Sequence, residues 1–382
     1  MVDPGSTPAE LARSVLEAHW RAEGFAVPNA EVYPWQWLWD SCFHAICWAS
    51  LGDERAVTEL DRTLAHQGET GFVPHMTYWS DPGFAEQFWG RPTTSCITQP
   101  PMFGHAARQL VDRGFAVPDE LVERAVAGLE FLLQRRARHD PSGLVLLCHP
   151  WESGADDSPR WDDACPGVWT LEAWRRHKGA LVGSVEFDRA GGAVSNPAFE
   201  VASVGFNALV AFNAAELAAL TGHDGLRAGA IELADALADR WDPERHTWVD
   251  AGQTAAGSGG ARTLDGLLPA LVDATPGRLE QVAAELVDPS AHGGACGPSG
   301  VHRGEAVFDP RTYWRGPAWP QLSYLMWVAL GRHGHPAAAA VAASTERGAV
   351  TSGMAEYWDA DDGTGLGAIP QSWAALSAVM VE

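Results

Sequence analysis

No stretch of this sequence approaches the run of about 20 apolar residues that a membrane-spanning helix needs. Nor does an apolar N-terminal segment follow a basic one. The opening MVDPGSTPAELARSVLEAHW reads as a capped helix rather than a signal peptide. Basic residues are scarce: 26 Lys and Arg stand against 49 Asp and Glu, a formal net charge of −23. Such a surface repels DNA, RNA and anionic lipid, which argues against nucleic-acid and membrane partners. The six cysteines (Cys42, Cys47, Cys96, Cys148, Cys165, Cys296) have no CxxC spacing and read as buried thiols. A soluble cytoplasmic protein without cofactor or metal is expected. Alternating Val- and Ile-rich strands are missing too, which argues against a parallel α/β sheet. No repeat of fixed period occurs.

What remains is helical. Apolar residues make up 46% of the 382, enough to bury a sizeable core. A 3.6-residue period predicts helices near 8–22, 40–50, 53–66, 99–113, 117–137, 199–221, 223–239, 263–273, 276–286, 317–332, 334–347 and 370–381. Short strands are expected at 144–148 and 247–250. Twelve helices in six hairpins give an all-α, (α/α)6 toroid with long loops at one end, in a single domain over 1–382. The Gly/Ser-rich stretch 251–263 reads as a surface loop within that domain. The stretch 288–305 reads as a mobile cover for a central cavity.

Tryptophan is the one excess: 18 against 5 tyrosines, more indoles than a core needs. Many stand beside glycine, proline or acid. Sugar sites favour this mixture, because flat rings cover C–H faces and carboxylates bind hydroxyls. Five segments concentrate it. In YPWQWLWDSCFH (33–44) the alternation of Trp35, Trp37 and Trp39 predicts an extended run ending at Asp40. Asp40 is then either a helix N-cap or a grip on sugar hydroxyls. In SCITQPPMFGHA, Gln99 can both donate to and accept from hydroxyls. HPWESGADDSPRW (149–161) holds Glu152, Asp156 and Asp157 on a loop forced by Gly154 and Pro159. It lacks calcium-loop spacing, so it is a solvated turn or part of an acid/base pair. In RTYWRGPAWPQLSY, Tyr313, Trp314 and Trp319 surround Arg315, which can pair with one of those carboxylates. In GMAEYWDADDGTGLGAIPQSW, Glu356 precedes two aromatics, and glycines 363, 365 and 367 allow close backbone approach.

Taken in order, YPWQWLWDSCF, SxxTQPP, HPWESGxDDSPRW, YWRGPxWP and EYxxxxxGxGLG…W resemble glycoside hydrolase family 63. Within it, they are similar to the bacterial mannosylglycerate and glucosylglycerate hydrolases. The eukaryotic processing α-glucosidase I belongs to the same family. The match runs from residue 33 to 373 and implies an inverting α-glycosidase on a small α-glucoside or α-mannoside, glucosylglycerate or mannosylglycerate first. It implies Asp156 as general acid and Glu356 as general base. Asp157 stands where many relatives carry asparagine, as a like-charged neighbour of the acid. Tyr33, Trp37, Trp39, Asp40, Gln99, Tyr313, Trp314, Gly316 and Trp319 match positions lining the sugar subsite, and Gln371 matches one near the glycerate. Tyr78, in TYWS, joins the substrate-binding set. Relatives hold the glycerate carboxylate with a basic, tyrosine-bearing loop after the acid loop. Here that region reads EFDRAGGAVSNPAFEVASVGFN, with Arg189 as the candidate and no matching tyrosine. Glu152 is expected to pair with Arg160 and hold the loop. A small carbohydrate is the expected partner. The alternatives are an α-glucosidase on a disaccharide or oligosaccharide, a sugar epimerase using histidines such as His75 and His149, and a non-catalytic sugar-binding relative.

Overall fold

A computed structural model of the chain describes residues 7–253, 260–273 and 275–381. Helix α1 (Pro8–His19) starts on a capping box: the Thr7 hydroxyl accepts from the Glu10 N–H, and the Glu10 carboxylate accepts from the Thr7 N–H. The following helices are α2 (Leu38–Ser50), α3 (Arg55–Thr63), α4 (Pro82–Trp89), α5 (Phe103–Asp112), α6 (Asp119–Gln134) and α7 (Leu171–Leu181). Then come α8 (Val204–Thr221), α9 (Asp224–Ala238), α10 (Pro276–Val287), α11 (Pro320–Gly331), α12 (Ala337–Thr351) and α13 (Leu376–Val379). Among the described residues, strands are confined to short antiparallel pairs, among them 36–37 with 76–77 and 241–242 with 247–248. The stretch expected as a strand at 144–148 makes only isolated bridges, Val145 to Arg138 and Leu147 to Val201.

Six segments close a ring. Helix α2 packs on α5, α5 on α8, α8 on a 3₁₀ segment (Leu264–Leu271), that segment on α11, α11 on α13, and α13 back on α2. Outside them lie α3, α6, α9, α10, α12 and α1, each against an inner neighbour. This is the (α/α)6 toroid the helical pairing predicts. Inner members are apolar on most faces because they are enclosed on most faces. One stretch departs from the expectation that none approaches membrane-spanning length: α8 is long and apolar enough by composition to cross a membrane, and here it is one of these enclosed helices.

Connections from an inner to an outer helix are short, such as 51–54, 222–223 and 332–336. Those from outer to inner are long and gather at the N-terminal ends of the inner segments. Two helices were not expected. Helix α4 is brief and opens on Pro-Gly, which hides its period; Asp81 caps it by accepting from the Phe84 N–H. Helix α7 is largely polar and buries only Trp174, Lys178 and Leu181. The stretch expected as a helix at 263–273 is 3₁₀, and Pro269 inside it lacks the N–H an α-helical turn would use. Of the loop 251–263, residues 254–259 lie outside the described residues. The stretch 288–305 is no cover: bridges from Ser299 to Ala318 and Val301 to Thr263 tie it down beside the ring.

Close approach of inner helices depends on glycine. A Cβ on Gly104 of α5 would stand 2.6 Å from the backbone oxygen of Asn213 in α8. We expect Gly104→Ala to lower stability by about 2 kcal/mol through overpacking. Thermal and urea unfolding would measure it, and an unchanged midpoint would contradict this packing.

Candidate active site

The long loops enclose a cavity of about 360 Å³ at the N-terminal ends of the inner segments. Its deep end holds Trp39, Asp40, Gln99 and Gln371, all buried. The extended pairing ends at Trp37, so Trp39 and Asp40 sit in the first turn of α2 rather than on a strand. Asp40 is therefore not the N-cap. Its carboxyl is pushed up to about 6, mainly by burial. The Gln371 amide nitrogen donates to Asp40 at 3.5 Å, and its amide oxygen accepts from the Trp373 N–H at 2.8 Å. The Gln99 oxygen accepts from the Trp39 N–H at 3.4 Å.

Asp156 and Glu356 both line this cavity, from loops 200 residues apart in sequence. Glu356 is held by the Tyr33 hydroxyl, which donates at 3.1 Å, and by the Ala368 N–H at 2.9 Å. Burial pushes it up to about 7 against those two hydrogen bonds, with Asp40 and Asp156 adding like charge. The glycine run has its reason here. At Gly367, with φ +68°, a Cβ would run into the Glu356 carboxyl. Asp156 accepts from Lys178 at 2.8 Å and from the Tyr313 hydroxyl at 3.3 Å. The acid loop reaches the cavity because Gly154, with φ +76°, lies flat on an indole. A Cβ there would be 2.5 Å from the Trp39 ring.

Trp314 forms another wall from the left-handed region, with φ +58°, a conformation that costs a non-glycine residue about 1–3 kcal/mol. It is held by face-to-face stacking on Trp319, ring centroids 3.7 Å apart. Arg315 next to it makes a bidentate pair with Asp162, at 2.7 Å for both bonds.

Most of the sequence-predicted residues converge. Tyr33, Trp37, Trp39, Asp40, Tyr78, Gln99, Tyr313, Trp314 and Gln371 line the cavity with the carboxyls. Others do not. Arg189 is exposed on a hairpin turn away from it. Trp319 lies behind Trp314, stacked between it and Tyr357. Gly316 makes room for the Asp309 carbonyl, within its own loop. The expected ion pairs are different ones. Glu152 meets Arg136 at 3.0 Å, and accepts from the N–H groups of Thr98 at 3.1 Å and Cys148 at 2.7 Å. It thereby joins the acid loop to the Gln99 loop. Arg160 instead pairs with Asp250, at 2.7 Å from Nε. Arg315 takes Asp162 rather than one of the three acids upstream. Asp157 is not a bare like-charged neighbour: Lys178 bridges it to Asp156. Burial, then the Asp156 charge, pushes Asp157 up. Burial opposes the Lys178 charge, but the two carboxylates hold it above its usual range.

Lys178 is a site residue that sequence reasoning missed: it stands on α7, outside every motif segment. Also missed were Trp35, His75, Phe84, Phe88, Trp89 and Trp151, which wall the outer half. The FWG and HPW clusters were the available signal. Among the described residues, no group of three or more His, Cys, Asp or Glu could hold a metal ion.

A site of paired carboxyls and indoles at the mouth of a helical toroid calls for comparison with known glycosidases. The profile described as a mannosylglycerate hydrolase MGH1-like glycoside hydrolase domain matches residues 33–374. The chain belongs to this branch of glycoside hydrolase family 63. The mannosylglycerate hydrolase of one Thermus thermophilus strain is 31% identical, over 96% of this chain and 99% of that protein. The glucosylglycerate hydrolase of Mycolicibacterium hassiacum is 28% identical, over 99% and 98%. The crystal structure of the family 63 mannosylglycerate hydrolase from another Thermus thermophilus strain, in complex with Tris and D-glycerate, superposes with a TM-score of 0.82. It is 27% identical, over 98% of this chain and all of that one. The chain is thus a glycoside hydrolase of the (α/α)6 type.

The Glu152 junction carries a clear expectation. Glu152→Gln leaves the buried Arg136 without its counter-charge and should cost about 3 kcal/mol or more. Urea unfolding measures it; a loss under about 1 kcal/mol would mean the pair is not holding the loops together.

Proposed function

We propose that the cavity hydrolyses small α-mannosides or α-glucosides with inversion of configuration. Mannosylglycerate and glucosylglycerate, the compounds in the relatives' names, are the first to try. The observation that carries the reading is the pair of carboxyls, Asp156 and Glu356, brought from distant loops to one aromatic-walled cavity and held by different partners. Inversion needs one carboxyl to protonate the leaving oxygen and another to activate water on the opposite face. Asp156 is the donor. Its Oδ2 is bonded to Lys178, and Oδ1, at the Tyr313 hydroxyl, is the oxygen that serves the leaving group. Lys178 is shared with Asp157 and so is not neutralised by the donor alone. Glu356 is the base. A carboxyl near 7 is half ionised at neutral pH and basic enough to take a proton from water. The indoles exclude bulk water and cover the sugar's C–H faces.

We read residues 1–382 as one catalytic domain, a reading supported by the packing of α13 on α2. The six cysteines are buried free thiols, which supports a reducing, cytoplasmic setting.

Proton NMR of the first-formed sugar should show the β-anomer from an α-glycoside; an α-anomer would refute inversion. Asp156→Asn and Glu356→Gln should each lower kcat by roughly 10²–10⁴. Asp156→Asn should recover most of its rate on a glycosyl fluoride, whose leaving group needs no proton. Equal losses on both substrates would reject Asp156 as the acid. Activity should fall as pH drops below about 7, because the base must be ionised. Tyr33→Phe removes a hydrogen bond that favours the carboxylate, so this acidic limb should move to higher pH. A limb that stays in place, or moves down, would detach Glu356 from it.

A further inference from the structure

Charge inside the cavity is of one sign. Asp40, Asp156 and Glu356 line it, and among the described residues no Lys or Arg does. The lining histidine, His75, is buried and pushed down to about 3 by burial and then by His149, so it adds no cation. The cation that touches a lining carboxylate, Lys178, is already divided between Asp156 and Asp157. Arg189, the sequence's candidate for an anion, is exposed on its hairpin outside the cavity. A carboxylate entering this space would give up its water and find neutral donors such as Gln99 and Gln371 beside three acids, with no lining Lys or Arg to balance its charge.

The outer half offers something else. Trp35 stacks on Phe84 with ring centroids 4.9 Å apart and planes 21° off parallel. Phe84 lies parallel to Phe88, one turn along α4, at 6.0 Å and 3°. Trp89 and Trp151, 5.8 Å apart, continue the wall inward. Phe84 and Phe88 are 39% and 49% exposed at the mouth, where solvent would ordinarily select polar side chains. Asp81 and Pro82 fix the start of this short helix and so fix the ring faces. Flat, uncharged faces of this extent suit the C–H face of a pyranose and give nothing to an anion.

We propose that the outer half is an aglycone subsite for an uncharged second sugar ring, stacked against the Trp35–Phe84–Phe88 wall, and not for a carboxylate-bearing aglycone such as glycerate. This rests on reading the cavity as a glycosidase site. The likeness to the glycerate-named relatives then bears on the sugar that is hydrolysed, and the α4 wall decides what it is attached to.

Four classes of substrate, compared within each glycone, test this with the purified protein. They are the α-glycosyl fluoride, the α-glycosylglycerate, the α-glycosylglycerol and the α-linked disaccharides of that hexose, for glucose and for mannose. Fluoride hydrolysis reports on the glycosidase reading alone, since fluoride does not fill the outer half. The expected result is fluoride turnover, with kcat/KM for at least one disaccharide about 100-fold above that for the glycerate compound. The neutral glycerol compound should fall between them. Phe84→Ala and Phe88→Ala, both at the exposed mouth, should each lower the ratio of disaccharide to fluoride kcat/KM by about fivefold. Preference for glycerate, or fluoride turnover with no disaccharide hydrolysed, overturns the proposal and leaves the glycosidase reading standing. No turnover of the fluoride or of any glycoside overturns both.

Discussion

The seam where the last inner segment meets the first carries the rest of the structure. Across it Asn29 donates to the Pro370 carbonyl at 2.7 Å, and Ser372 bonds the carbonyls of Val27 and Pro28 at 3.0 and 3.1 Å. The Trp39 and Trp373 rings meet edge to face, and Tyr33 reaches Glu356. These contacts join residues more than 320 positions apart, so no local preference can make them. Closing the ring creates the cavity, and the same closure puts Asp40, Gln371 and Glu356 at its deep end. Helix N-termini pointing at that end favour the carboxylates gathered there.

The site is an exercise in burying acids without losing them. Asp40 and Glu356 are raised by burial, yet each is offered hydrogen bonds that favour its ionised form. Asp156 and Asp157 share one ammonium. Further out, Glu152 and Arg160 are each neutralised by a buried partner, Arg136 and Asp250. Such pairs add less to net stability than to register, because breaking one leaves a charge in a dry interior. They fix where the loops run, and therefore where the two cavity carboxyls stand.

Much of this was legible in the chain. Amphipathic helices such as α3 and α5 show a strong apolar period, and an enclosed one such as α8 shows a long apolar run. Ten of the twelve expected stretches fall on α-helices; 263–273 is 3₁₀, and 370–381 is a 3₁₀ turn (Ser372–Ala375) leading into the short α13. The motif segments were legible as chemistry because tryptophan, glycine and acid mix in them for reasons packing does not supply; four of the five sit just before an inner segment, and the acid loop 149–161 precedes α7 instead. What escaped was of two kinds. The short α4 and the largely polar α7 lie outside the five motif segments, and with them went the Phe84–Phe88 wall and Lys178. Partner choice also escaped: Arg160 finds Asp250 and Arg136 finds Glu152 through three-dimensional proximity, whereas sequence proximity had joined Glu152 to Arg160. Arg189 failed for the same reason, since a residue in the right interval of sequence lies on the outer turn of a hairpin.

The central claim is that Asp156 and Glu356 face each other across one bound sugar. A crystal structure of the Glu356→Gln variant holding an uncleaved α-glycoside tests it most directly. The expected result places the glycosidic oxygen about 3 Å from Asp156 Oδ1, with a water between residue 356 and the opposite face of the anomeric carbon. A sugar bound with both residues on one face, or with its glycosidic oxygen out of reach of Asp156, would contradict the account.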